Sequence, residues 1–547
     1  MMNHQIQEYP FPSRRSMIYA QNGMVCTSQP LAATAGLDVL KQGGNAIDAA
    51  VATAACMTVV EPTSNGIGSD AFALVWIEKE KKLYGLNASG KAPMAIDAQA
   101  IRDMGYKEMP ITGWHTVMVP GVPSAWSELA TRFGKKPLAE SFRAAIDYAE
   151  NGYPLSPVIS KLWDKEFHRL SKEILDPRVQ AHSDGFRELF RVFMPKGRAP
   201  KAGEVWNSPD HAKTLRLIAE TNAEAFYRGE LADRIDVFSR ETGGLIRKSD
   251  LENYRCSWVE PIHVEYKGHT VWEIPPNGDG IIVLMAMNIL KNFQLSDGAF
   301  GTVDTLHKQM EAIKLAYADG NRYIADPDFM KVSVEDLLSE KYAAERAGLI
   351  GERAVPAEPG KPNRGGTIYL CTADKNGNMV SYIQSNYWNF GSGLVVPGTG
   401  ISLQNRGTNF SLDPTSENCI APGKKAFHTI IPGFLTKDGE AVGPFGVMGG
   451  FMQPQGQMQV LCNVLDFGMN PQSALDAPRF QWTEGMKYEI EDDFSAEVIE
   501  ELRAKGHDIQ LFKDRMSFGR GQIIWKTDEG VYGGATEPRA DGTVAAW

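Results

Sequence analysis

The stretch NRGGTIYLCTADKNGNMVSYIQSNY, residues 363–387, puts a glycine pair and a hydroxyl at the first step of a strand. If the Gly366–Thr367 bond is cut, Thr367 carries a free α-amine beside its hydroxyl. Such an amine has a reference pKa of about 7.7–8.0, close enough to neutrality to accept the hydroxyl proton. One residue then supplies both nucleophile and base. Gly366 suits the cut, because without a Cβ it leaves Thr367 Oγ1 room to attack the preceding carbonyl. A plain loop entering a sheet is the other reading of these residues. A second element is GPFGVMGGFMQPQGQMQ, where Gly449-Gly450 falls between a predicted strand and a predicted helix. Successive backbone N–H groups there could form an oxyanion hole, and a simple strand-to-helix turn is the alternative.

Other chemistries leave no trace. The chain has no HExxH, paired CxxC or calcium loop, so no metal is called for. It has no phosphate loop and no GxSxG elbow, and nothing in it asks for a cofactor. Of 547 residues 43% are apolar and 22% charged, the balance of a water-soluble globular chain. A net charge of −11 argues against nucleic acid or an anionic membrane as partner. The longest apolar run, residues 49–60, is shorter than the ~20 residues a membrane span needs. The first residues lack the apolar core of an export signal, so the expected location is cytoplasmic. The six cysteines are scattered and read as reduced thiols.

The elements that must position these groups follow from pattern. Ser28 caps a predicted helix that starts at Pro30 and stops at Gly43-Gly44. A second helix, residues 45–60, is apolar nearly all round. Residues 70–78 and 82–88 read as a strand pair. Helices are expected over 124–133, 138–151 and 209–220, the last capped by Ser208. A hairpin over 263–274 precedes helices at 281–290 and 303–318. Gly, Pro and charge fill residues 348–366, the candidate boundary. After it comes a hairpin turning at Lys375-Asn376-Gly377-Asn378, then another across Lys437-Asp438-Gly439, then helices over 455–465 and 496–505. Strands followed by helices suggest sheets covered by helices on their outer faces.

Taken together these residues resemble the γ-glutamyltransferase family, including its glutaryl-cephalosporin acylase branch. The likeness runs through GMVCTSQPLAATAGLDVLKQGGNAIDAAVATAACMTVVEPTSNGIGSDAFALVW, MVPGVPSAW, IPPNGDG, KLAYADGNRYIADPDF, GGTIYLCTADKNGNMVS, GVMGG and YGGATEPRADG. It implies an α+β fold, the four-layer αββα sandwich of N-terminal-nucleophile hydrolases. It implies a precursor that cuts itself into residues 1–366 and 367–547, which stay associated. Thr367 becomes the nucleophile, Gly449 and Gly450 the oxyanion hole, and Ser385 stands where the family has a second Thr touching the freed amine. Partners are then a small amide or peptide and an acceptor amine or water, and a homo-oligomer is compatible with the sequence.

The departures concern the substrate. Ser89 stands where the family has an Arg that grips the substrate α-carboxylate, and His428-Thr429 replace two Ser that share that task. Asn409 replaces the Asp that binds the α-amine, Tyr387 replaces an Asn, and Ile368 replaces a Thr beside the nucleophile. Arg406 stands in place of a Gln and could bind a carboxylate from another direction or brace its loop; Lys91 reads as a solvated charge. The resemblance therefore implies acyl transfer through an ester on Thr367, from γ-glutamyl compounds or related glutaryl amides. The alternatives are a cephalosporin-type acylase without γ-glutamyl activity and an unprocessed precursor used for binding.

Overall fold

Two helices that are apolar on every side fix the layers. Ala46–Val60 has all 15 residues buried, and Asn45 starts it with a capping box to Asp48. Gly280–Leu290 is likewise wholly buried. Each covers one of two seven-stranded sheets, and the sheets pack on each other, so the order is helix, sheet, sheet, helix. This is the expected αββα sandwich. The computed structural model describes residues 15–180, 183–295, 299–357 and 366–547.

The first sheet runs in the order Ile18–Ala20, Tyr532–Thr536, Arg520–Lys526, Glu440–Met448, Gly433–Lys437, His269–Glu273, Ile262–Tyr266. The second runs Thr543–Ala546, Gly23–Thr27, Gly366–Asp374, Met379–Tyr387, Asp70–Ile77, Lys82–Ala88, Ser257–Val259. Both sheets draw strands from either side of Thr367, so the two segments share one core. The central strands read as continuous apolar runs, as in Asp70–Ile77 (DAFALVWI), because both faces are covered. The hairpin at 375–378 forms as predicted, with Gly377 at φ 89° and Asp374 accepting from the Asn376 N–H at 2.8 Å.

Several local expectations are corrected. Residues 138–151 form two helices, Leu138–Ser141 and Arg143–Asn151, broken at Phe142, whose ring packs on Trp126. The helix expected to stop at 318 continues over Val303–Tyr323. Its Gly320 is a packing residue: a Cβ there would sit 2.5 Å from Ile282 Cδ1. Ser28 does not cap its helix but donates to Glu61 Oε2 at 2.6 Å. Ser208 takes the N-cap position as expected, but its hydroxyl bonds His211 Nδ1 at 2.9 Å in place of a backbone N–H. Of the boundary at 348–366, residues 358–365 lie outside the described residues, as does the chain before residue 15. All six cysteines are free thiols. No helix among the described residues is long and apolar enough to cross a membrane.

Candidate active site

Three strand ends of the second sheet meet at one place. Thr367 begins Gly366–Asp374, Ser385 lies near the end of Met379–Tyr387, and Asp70 begins Asp70–Ile77 as the cross-strand partner of Ser385. Between the Gly366–Tyr387 and Ile368–Gln384 pairs the register slips, with the return strand taking an extra step. Tyr387 absorbs it with φ 75°, a left-handed conformation unusual for a bulky residue, and its N–H donates to Ser385 Oγ at 2.8 Å. Thr367 is buried and its Oγ1 donates to Ser385 Oγ at 3.2 Å.

The opposite wall comes from the first sheet. Glu440–Met448 ends at Gly449-Gly450, and Met452–Leu465 begins two residues later. Gly449 has φ 144° and Gly450 φ 60°, which explains the glycine pair. Their carbonyls accept from Met452 and Gln453 N–H at 3.1 and 3.0 Å. Neither of their own N–H groups donates to an acceptor among the described residues. Gln453 joins the two walls. Its Oε1 accepts from Ile431 N–H at 3.1 Å, which turns its amide donors toward Thr367 Oγ1, 3.4 Å away.

Next to this Thr367 end lies a buried set of charged and titratable groups. Arg406 is 1% exposed; its Nη1 donates to Thr429 Oγ1 at 2.8 Å and its guanidinium lies 4.5 Å from the Tyr387 ring centroid. Its Nε and Nη2 have no partner among the described residues. Burial pulls its pKa down to about 10, against Asp70, Tyr387 and Asp279. His428 Nε2 donates to Asp70 Oδ2 at 3.0 Å. Burial, then the charges of Arg406 and Lys425, keep His428 neutral. Burial pushes the Asp70 carboxyl up to about 7, against the pull of Arg406 and the Gly90 N–H. Asp279 is fully buried with neither oxygen partnered among the described residues, and burial drives its carboxyl well above the usual range in spite of Arg406. The His428 carbonyl holds this loop by accepting from Asp279 N–H at 2.8 Å.

The structure thus gathers Thr367, Ser385, Gly449 and Gly450 at one end of the sandwich, with Arg406, Thr429, Tyr387 and His428 beside them. Ser89 is tied up elsewhere: its hydroxyl donates to Asn87 Oδ1 at 2.7 Å, and Asn87 in turn donates to Asn277. Asn409 shares the short helix of Arg406 but donates to Phe427 O at 3.0 Å. Lys91 is exposed, as expected of a solvated charge. Asp70, Asp279 and Gln453 were not singled out from sequence. The only sequence signal for Gln453 is its place one helical step beyond the glycine pair. One group of metal-type donors, His307, Glu311 and His507, also went unseen; there Lys314 Nζ already occupies Glu311 Oε1 at 2.5 Å.

A strand-borne Thr with a glycine before it, set in a four-layer αββα sandwich facing a Gly-Gly turn, is the arrangement of an N-terminal-nucleophile hydrolase. The model of the gamma-glutamyltranspeptidase family matches residues 32–547, and the chain belongs to that family. It is similar to the glutathione hydrolase-like YwrD proenzyme of Bacillus subtilis, 34% identical over 95% of this chain and 98% of that one. It is similar also to the acylase ACY 1 proenzyme of Pseudomonas sp. strain V22, 33% identical over 98% of this chain and 95% of that one. Among solved structures, the cephalosporin acylase from Bacillus halodurans matches with a TM-score of 0.94 at 57% identity, over 100% of this chain and 99% of that one. The chain is therefore an enzyme of the amide hydrolase and acylase type.

Proposed function

We propose that the chain cuts itself between Gly366 and Thr367 and then cleaves amides whose acyl half ends in a carboxylate. The observation that carries the acyl preference is Arg406, a buried guanidinium beside the nucleophile with two donors unused. A buried cation with free donors is costly unless something anionic completes it. Asp279 favours a γ-glutamyl over a glutaryl group, because its two unpartnered oxygens lie within reach of the Arg406 charge and an α-ammonium would satisfy them. The names of the relatives, proenzymes among them, support self-processing.

In this reading the freed α-amine of Thr367 takes the proton from Oγ1 as Oγ1 attacks the acyl carbon. The Gly449 and Gly450 N–H groups receive the oxyanion, and Ser385 and Gln453 hold Oγ1 in line. The C–N bond then breaks and the proton passes from the Thr367 ammonium to the departing amine. That leaves an ester on Thr367, which water or a second amine resolves. After the cut, residues 1–366 and 367–547 stay joined because both sheets are built from both.

The test compares γ-glutamyl, glutaryl and butyryl 4-nitroanilides on the purified protein. The two acidic acyl groups should exceed butyryl by about a hundredfold or more in kcat/KM, the scale of a lost charged hydrogen-bond pair. Equal turnover of butyryl would remove Arg406 from substrate binding. Exclusive turnover of γ-glutamyl would confirm the role of Asp279 and exclude a glutaryl acylase.

A further inference from the structure

Ser385 meets Thr367 where its own chain bends sharply. Ser385 Oγ accepts from Tyr387 N–H at 2.8 Å and from the Thr367 hydroxyl at 3.2 Å, which uses both acceptor positions of a hydroxyl oxygen. The first of these bonds turns the chain back on itself, with Tyr387 at φ 75°. A residue with a Cβ stores strain in that conformation, which persists only where its surroundings over-determine it.

Asn386 supplies those surroundings. It is fully buried and held by two loops. From the first loop, Ser64 O accepts from its N–H at 3.2 Å, and Ser69 Oγ donates to its Oδ1 at 2.8 Å. From the second, Asn405 N–H donates to its carbonyl at 3.0 Å, and Ser402 Oγ accepts from its Nδ2 at 3.1 Å. Trp388, on the other side of Tyr387, donates its N–H to Asn405 Oδ1 at 3.0 Å. Both neighbours of the strained residue are therefore pinned. Gly66 and Gly68 let the two loops meet. A Cβ on Gly66 would lie 2.3 Å from Ser402 Oγ, and one on Gly68 2.3 Å from the Ser402 carbonyl oxygen. The loops lie on either side of Thr367 in the chain, so both segments build the clamp.

We propose that Asn386 and Tyr387 are positioning residues for Thr367. Asn386 holds Tyr387 in its left-handed conformation, the Tyr387 N–H fixes Ser385 Oγ, and Ser385 Oγ accepts the Thr367 hydroxyl, which sets the rotamer from which Oγ1 attacks. The backbone of Tyr387 does this, not its ring. The same geometry serves the cut at Gly366 and the later attack on substrate, because Oγ1 is the attacking atom in both. The proposal rests on the self-cutting reading above.

Variants followed by intact mass during incubation test it. Asn386→Ala loosens the clamp and should slow the cut about tenfold or more, the scale of the strain held there. Adding Tyr387→Gly to Asn386→Ala should restore a large part of the rate, since glycine takes φ 75° without strain and no longer needs the clamp. A purely structural role for Asn386 would not give that rescue. Tyr387→Gly alone should cut about tenfold or more faster than Tyr387→Val, although both lack the ring, because a β-branched residue resists this conformation. On the cut protein the difference between these two should appear in kcat for a 4-nitroanilide, with KM alike. Rates are taken per folded molecule, with thermal unfolding reporting the folded fraction. If Asn386→Ala does not fold, the comparison at Tyr387 carries the test, and if Tyr387→Val does not fold, the rescue carries it. An Asn386→Ala that cuts at the wild-type rate, a double variant no faster than the single one, or equal rates for Tyr387→Gly and Tyr387→Val overturns the proposal. A wild type that never cuts fails on the self-cutting reading instead.

Discussion

Two regions of the candidate site are built from different materials. In one, Arg406, Asp70, Asp279 and His428 are all buried and packed against one another. In the other, an open cleft has aromatic walls and mostly paired ions. A closed polar site reads a small head group by hydrogen bonds that are costly to leave unmade, so it discriminates sharply. An open apolar cleft accepts variety. In the proposed reading the scissile bond lies between a selective half and a tolerant half.

Removing the machinery itself should have the largest effect. Thr367→Ala should abolish turnover on every substrate, by at least about a thousandfold, whichever side varies. Thr367→Ser should keep part of it. Gly449→Ala comes next. It demands φ 144° of a residue with a Cβ, and that Cβ would lie 3.1 Å from Gly519 Cα. A displaced oxyanion donor costs about a hundredfold to a thousandfold in kcat, read at saturating substrate.

Arg406→Met should then separate the two sides. It should cut kcat/KM about a hundredfold for acidic acyl groups and far less for butyryl. A uniform loss would mean that Arg406 braces its loop and does not touch substrate.

The smallest effect is set by pH. The Asp70 carboxyl, held up to about 7 by burial, is neutral below that pH and leaves the charge of Arg406 to an acyl carboxylate. Above it, ionised Asp70 shares that charge, so KM for acidic acyl groups should rise several-fold between about pH 6 and pH 8. Asp70→Asn should flatten that rise. A raised folded pKa means that the fold favours the protonated form. Asp70 therefore stabilises most below its unfolded pKa, and that contribution fades as pH climbs toward 7.

The glycines and the Thr that frame the candidate site were legible in the sequence. Gly366, Thr367, Gly449 and Gly450 announce themselves through glycine punctuation at strand ends, and Asn376-Gly377 fixes the hairpin that presents Thr367. The binding half was less legible because it depends on which polar groups find partners. Position alone put Ser89 in the carboxylate site, yet Asn87 and Asn277 hold the neighbourhood of its hydroxyl. The importance of Asp279 and Asp70 lies in the company they lack or keep after folding, which no local pattern records. Ser28 shows the same limit at a helix end, where the expected capping residue was drawn to a tertiary partner.

The most direct measurement is the intact mass of the purified protein after incubation, followed over time. The account predicts two fragments divided between Gly366 and Thr367, remaining together in native solution and parting only on denaturation. A single uncut chain, or a cut at any other bond, would contradict it.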